Sequence, residues 1–354
     1  MSQAGTTPHA AAATLPRRVD IRWPPEVLQP APLVSVVVPT CGRPQLLKRC
    51  LHALLAQTLD PRDVEIIVVD DGHSQPTQML VATLAVADPS WTLRCLRPAH
   101  GRGPAAARNT GWRAARGDIV AFTDDDAEPA FDWLVQGLAA MQHSGWAALG
   151  GRVVVPHGAS RPTDHERMTQ GLEQTAFVTA NAFVRRSALV QVQGFDERFT
   201  RAWREDSDLQ FRLHDTCGPV GRCEAAVVLH PVRAERWGVC LRQQKNAFFE
   251  ALLFAKHPQR FRSGEGLPAP WPFYAIVALV LGCAVFWATD VVGSAVVCGV
   301  LAVGLVLRFA LQRLRGTART PEHVVEMLLT SALIPFLSVY WRLRGALHFR
   351  VWFL

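Results

Sequence analysis

Charge is scarce in this chain of 354 residues: Asp, Glu, Lys and Arg together make up 19%. No Cys-x-x-Cys occurs, and no histidine spacing beside Cys217 and Cys223, the closest two cysteines, resembles a zinc site. The eight scattered cysteines therefore read as reduced, mostly buried thiols of a cytosol-facing protein. The first 30 residues are rich in Ala, Pro and Thr, and no apolar core follows Arg17–Arg18. That excludes a signal peptide and leaves a disordered leader over 1–32. A nucleic-acid partner is disfavoured too: the basic residues are dispersed, and many flank apolar segments.

What the chain does have is a net charge of +7, a pI near 9.3 and 49% hydrophobic residues, unevenly spread. A basic balance suits anionic partners such as nucleotides or anionic lipid. From Leu33 the pattern is regular. Buried-strand runs at "LVSVVVP", "VEIIVVD" (64–70), "WTLRCL" (91–96) and "DIVAF" (118–122) alternate with helical stretches at 44–57, 76–87 and 103–118. This alternation predicts a mainly parallel α/β sheet flanked by helices. Further on, strands are expected at 147–155 and 225–231, a loop over 156–175, a helix over 204–215 and a helical connector over 236–272. The connector's aromatic residues read as core rather than a membrane-surface face.

Ligands of such sheets bind outside the carboxyl ends of the strands. Thr40, Asp70–Asp71 and Asp124–Asp126 all fall at those ends. The last group lies in "IVAFTDDDAEP" (119–129), where three aspartates close an apolar strand. Adjacent carboxylates usually mark a solvated loop; at the end of a buried strand they suit a hard divalent cation and a phosphate-bearing substrate instead.

Residues 273–307 hold one charge, Asp290. As one helix they would extend about 52 Å, too long for a hydrocarbon core of about 30 Å. Two short spans, 273–289 and 291–307, are expected. Lys256, Arg260 and Arg262 precede them, and Arg308, Arg313, Arg315 and Arg319 follow. The positive-inside rule then puts both flanks and the large N-terminal domain (33–235) in the cytoplasm, on the inner membrane. The segment 308–354 reads as a basic loop and a third, membrane-associated but non-spanning stretch at 324–341.

Six pieces in order resemble the inverting family 2 glycosyltransferases, which have a GT-A fold. They are "VSVVVPTCGRP" (34–44), "EIIVVDDGHS" (65–74), "AAARNTGWRAARGDIVAFTDDDAEP" (105–129), "TANAFVRRSAL" (179–189), "GFDERF" (194–199) and "REDSDL" (204–209). The resemblance covers 33 to about 235. It implies a nucleoside-diphosphate sugar donor, a hydroxyl acceptor and a Mg²⁺ or Mn²⁺ cofactor. Thr40 and Asp71, with Asp70 as neighbour, match positions for the nucleobase and ribose, and Arg108 a basic position near the nucleotide. Asp124 and Asp126 match the D-x-D pair, with Asp126 the direct metal ligand and Asp124 nearer the ribose. Asp206 matches the general base, and Glu205 is its neighbour, either a helper or a helix-start carboxylate. His230 matches a further metal ligand of some relatives. No QxxRW follows the Glu-Asp pair, which argues for transfer of a single sugar. "CGRP" replaces the commoner "YNR" and leaves Cys41 without a role. The membrane segments point to a lipid-linked or cell-envelope acceptor.

Two other readings compete. "GRGPAA" (101–106) fits the G-x-G-x-x-A fingerprint of a nicotinamide oxidoreductase, but it follows the third strand rather than the first. A non-catalytic membrane scaffold with a degenerate transferase fold would not need Asp124, Asp126 and Asp206.

Overall fold

The computed structural model describes residues 31–158 and 160–353. Most of the leader expected over 1–32 lies outside the described residues. Strand β1 (Val34–Thr40) and β2 (Val64–Asp70) are buried at every position, as runs rich in β-branched residues should be in a sheet covered on both faces. Between them α1 (Pro44–Leu55) starts with proline in its first turn and buries Leu47, Cys50, Leu51 and Leu54 at helical spacing. The order continues with α2 (Gln75–Ala87), β3 (Thr92–Leu96), α3 (Pro104–Ala114), β4 (Ile119–Thr123), the two-residue β5 (Glu128–Pro129), α4 (Trp133–Gln142) and β6 (Ala148–Val154). Then come α5 (Asp164–Gln170), β7 (Asn181–Arg185), α6 (Arg186–Val192), α7 (Glu205–Thr216) and β8 (Val220–Leu229).

These strands form one sheet in the order β3-β2-β1-β4-β7-β6-β8-β5. The β3-β2-β1-β4 half is parallel throughout, as its helical crossovers require. The other half is mixed: β4–β7, β6–β7 and β5–β8 run antiparallel, and β6–β8 parallel. The link from β6 to β7 does not need to cross the sheet, so β7 returns alongside β6 in the opposite sense. Helices cover both faces. Leu47 and Leu51 of α1, Val81 of α2 and Trp133 of α4 pack on one side. Ala105 of α3, Leu189 of α6 and Leu209 and Leu213 of α7 pack on the other. Each fully buried large apolar side chain stabilises by about 1.5–3 kcal/mol.

The stretch expected as a loop over 156–175 contains α5. Thr163 accepts from Glu166 N, and Glu166 accepts from Thr163 N, which makes a reciprocal capping box. All eight cysteines are free, but only Cys50 and Cys240 are fully buried, fewer than expected.

After β8 the chain forms α8 (Val239–Gln243), α9 (Ala247–Lys256) and a single turn, α10 (Pro258–Arg260). Phe249, Leu252 and Leu253 of α9 are buried, so this part of the connector is core, as expected, whereas Trp237 is exposed. Three apolar helices follow: α11 (Trp271–Ala288), α12 (Val292–Leu314) and α13 (Pro321–Phe349). Each is long and apolar enough to cross a membrane. The first two form the expected hairpin. α12 runs past Leu307 because Arg313 finds partners there: Asp164, Thr330 and Ser331.

α13 extends well beyond 324–341 at both ends. It lies along the connector. Glu326 accepts from Gly238 N at 2.7 Å, and the ring of Phe248 meets those of Trp341, His348 and Phe349. A Cβ on Gly345 would sit 2.4 Å from the Phe248 carbonyl, so only glycine permits this approach. The opposite side of α13 exposes Val325, Leu329, Leu333, Phe336, Tyr340, Leu343 and Leu347.

Candidate active site

Strands β1, β2 and β4 are adjacent, so the residues that follow them emerge on one edge of the sheet. There, Thr40, Asp71, Arg108, Asp124 and Asp126 line a cavity of about 260 Å³ together with Cys41, Arg43 and Arg233. Asp71 accepts from Gly103 N at 2.9 Å. That bond holds the "GRGPAA" turn, in which Gly103 (φ 94°) lies so close to the Thr200 carbonyl that a Cβ would collide at 2.6 Å. The glycine pattern thus serves a wall of this cavity, at the third strand.

Asp70 does not line the cavity. Its Oδ2 accepts from Ser74 N at 2.5 Å, at the start of α2, and burial pushes its carboxyl above the ordinary range. The hydroxyl of Thr40 is also engaged, donating to Asp125 Oδ2 at 2.6 Å. The middle aspartate of the triplet is therefore a structural anchor. It is buried, paired with Arg43 at 2.8 Å, and its carboxyl is pushed up to about 6, chiefly by burial. Anchoring Asp125 inward directs its two neighbours outward into the cavity.

Asp124, Asp126 and His230 each offer a ligand atom, all within 4.8 Å of one another. His230 follows β8, where its amide donates to Val154 O at 2.8 Å. Its Nδ1 is buried without a partner among the described residues. Two carboxylates and an orphaned imidazole fit a divalent cation, and the carboxylates suit Mg²⁺ or Mn²⁺. Arg233 Nε lies 2.8 Å from Asp126 Oδ2, an ion pair that sequence reading did not foresee.

Arg108 joins the two acidic groups. It is buried, with Nη2 2.8 Å from Asp124 Oδ1 and Nη1 2.9 Å from Glu205 Oε1. Its position on α3 is fixed by the small residues of "AAAR": Ala105, Ala106 and Ala107 are all buried, Ala105 and Ala107 within the apolar cluster on this face of the sheet. Glu205 and Asp206 open α7, where the helix dipole favours carboxylates. The preceding Arg204 adopts φ 73°, a left-handed turn that brings the pair to the helix start. Burial pushes the Glu205 carboxyl up to about 8, and the Asp206 charge adds to this. Asp206 is raised as well, again chiefly by burial, and its Oδ1 accepts from Ser207 N at 2.8 Å. Glu205 and Asp206 do not line the cavity; Arg108 is their link to it.

The connector clamps this helix start. Buried Glu250 of α9 accepts from Trp203 Nε1 at 2.8 Å and Arg204 Nε at 2.7 Å. Lys256 Nζ and His257 Nε2 reach Asp208 Oδ1 at 2.6 and 2.8 Å. None of Arg43, Arg233 or Glu250 stands out in the sequence as a site residue, and the strand-end pattern does not separate Asp125 from its two neighbours. Only the proximity of Arg233 to His230 in "HPVR" offered a signal.

Comparison with known proteins agrees with this geometry. Residues 35–201 match the family model "Glycosyl transferase family 2". The chain is 29% identical over 172 residues to glycosyltransferase AglE of Haloferax volcanii, covering 46% of this chain and 56% of that protein. It is also 29% identical over 153 residues to GalNAc(5)-diNAcBac-PP-undecaprenol beta-1,3-glucosyltransferase of Campylobacter jejuni, covering 43% of this chain and 48% of that one. The chain thus spans about half the length of these curated relatives. In fold it is similar to mannosyltransferase PcManGT from Pyrobaculum calidifontis, solved with GDP-Man and Mn²⁺, with a TM-score of 0.55, 21% identity and coverage of 88% and 87% of the two chains. Residues 35–201 of the chain thus match glycosyl transferase family 2, on a sheet whose fold is GT-A-like.

Proposed function

We propose that this chain is an inverting glycosyltransferase that moves one sugar from a nucleoside-diphosphate sugar to a hydroxyl acceptor at the cytoplasmic face of a membrane. The observation that carries the reading is the convergence of Asp124, Asp126 and His230 beside a cavity that Arg108 ties to Glu205 and Asp206. Thr40 and Asp71 border the nucleoside, Asp70 shapes the turn that carries Asp71, and Asp124 lies nearer the ribose. A divalent cation held by Asp124, Asp126 and His230 would offset charge on the departing diphosphate. Asp206 accepts the proton of the acceptor hydroxyl as its oxygen attacks the anomeric carbon from the face opposite the diphosphate. A carboxyl raised by burial is a better base than an ordinary aspartate. Glu205, fixed by Arg108, sets the charge around that base. Arg108 cannot move freely, since both guanidinium ends are bound.

The acceptor is proposed to be lipid-linked. The hairpin α11–α12 anchors the chain, and α13, docked on one side and apolar on the other, lies in the membrane interface rather than across it. Anchoring raises the effective concentration of a membrane-bound acceptor. The Campylobacter relative is named for a polyprenyl-diphosphate-linked substrate.

The test is turnover of a panel of nucleotide sugars by purified full-length protein, with the anomeric configuration of the product read by NMR. One donor should be consumed with inversion, and Asp126→Ala should abolish chelator-sensitive donor binding in calorimetry. Retention of configuration, or donor affinity indifferent to chelator and to Asp126→Ala, would falsify the assignment.

A further inference from the structure

A second, larger cavity of about 490 Å³ lies beside the first, between the start of α5, the loop after β8 and the first turns of α13. Its volume falls in the range of about 300–1,000 Å³ typical of small-molecule sites. Arg233 lines both cavities, so the two are neighbours across one side chain. The carboxylates of the second cavity already have partners. Asp164 pairs with Arg313 at 2.6 Å, Glu166 closes the capping box, and Glu326 holds Gly238 N.

Its imidazoles do not. His323 is only 6% exposed, yet its Nε2 has no partner among the described residues. Both ring nitrogens of His165, on the facing helix α5, are likewise buried and unpartnered. Such atoms cost free energy unless a ligand or water satisfies them. Trp237, 54% exposed, adds a flat apolar surface on the wall. The N-terminal part of α13 supplies His323 and Met327, while the exposed side of the same helix is apolar. The cavity is thus built where the catalytic domain meets the membrane-facing helix.

We infer that this second cavity is an acceptor subsite, and that it takes a sugar unit of an amphiphilic glycoside other than the one presented to Asp206, with the apolar part of the glycoside following the exposed side of α13. His323 and His165 hydrogen-bond its hydroxyls, Trp237 stacks on its ring, and Arg233 forms the wall it shares with the donor. Hydroxyls suit the site because the buried, unpartnered imidazoles can donate to and accept from them, and because the carboxylates of the lining, Asp164, Glu166, Glu235 and Glu326, outnumber its arginines, Arg233 and Arg236. This assignment rests on the proposed transferase reading for the word acceptor, but not for the ligand class.

The experiment uses full-length protein in lipid nanodiscs with a diazirine-bearing octyl glucoside, mapped by mass spectrometry after irradiation. Labelling is expected within 163–166, 232–240 and 320–327, and excess octyl glucoside should compete it away. His323→Leu should lower labelling at least tenfold, and His323→Gln, which keeps an N–H donor, less than threefold. Met327→Trp should block labelling by filling the cavity, with thermal melting as the check that each variant folds. Labelling elsewhere, indifference to Met327→Trp in a folded variant, or competition by decyl phosphate but not by octyl glucoside would each overturn the inference. Donor hydrolysis in the same samples separates the two readings. If labelling maps to the cavity but no nucleotide sugar is consumed, the glycoside site stands and the transferase reading falls. If donor is consumed but labelling lies elsewhere, the cavity assignment alone falls.

Discussion

The two sides of the active-site region are built differently. The first cavity takes Thr40, Asp71, Asp124 and Asp126 from the ends of three adjacent parallel strands, while Arg108 and Arg233 reach it from α3 and the loop after β8. The opposite side is assembled from α5, the loop after β8, α8 and α13, which are separated by up to about half the chain. A strand end is a local signal, because side-chain placement there follows from the strand itself. A wall shared by four distant elements depends on how those elements dock. Changes on the donor side should therefore act on chemistry, and changes on the other side on positioning.

The sharpest contrast is expected at Asp206. Asp206→Asn should lower transfer about 10²–10⁴-fold while donor affinity, measured by calorimetry, stays within twofold. Equal losses in turnover and donor binding would instead place Asp206 with the donor groups. Glu250→Ala comes next. It strips Arg204 and Trp203 of their shared carboxylate and leaves a partly buried cation unpaired, so it should destabilise by up to about 3–5 kcal/mol in urea unfolding. In folded protein it should lower kcat more than donor affinity. A stable variant with full kcat would show that the connector does not position the base helix.

The smallest effect concerns pH. The Glu205 carboxyl, raised to about 8 from 4.5, keeps a proton in the native state that the unfolded chain releases. Its contribution to stability is fully present below about pH 4.5 and is lost as pH rises through about 8. Unfolding in urea without metal or nucleotide should therefore show stability declining between pH 5 and 8. Glu205→Gln should flatten that decline, and an unchanged slope would remove Glu205 as its source.

The sequence made the parallel half of the sheet legible because β-branched runs, prolines at helix starts and strand-end carboxylates are all local patterns. It also located the first apolar helix within two residues and the start of the second within one, but not the second helix's end, which lies at Leu314 rather than 307. The mixed half of the sheet was read less well, since the direction of β7 depends on a non-crossing connection that no periodicity reports. The capping box of α5 was present in the residues 163–166 but was masked by the polarity of the surrounding stretch. Asp70, Asp71 and Asp125 show a finer limit. Composition marks each as an aspartate at a strand end, but only packing decides that Asp71 faces the cavity while Asp70 and Asp125 turn inward.

By itself, then, the sequence determined the fold class, the likeness to a glycosyl transferase family over 35–201 and the presence of an acidic constellation, because short-range periodicity and motif spacing encode them. Tertiary structure alone decided that Arg108 bridges Asp124 to Glu205, that Glu250 clamps the start of α7, and that α13 closes a second cavity. Those contacts join residues 97, 46 and 88 positions apart or thereabouts, and only the docking of helices on a common sheet brings them within hydrogen-bonding reach.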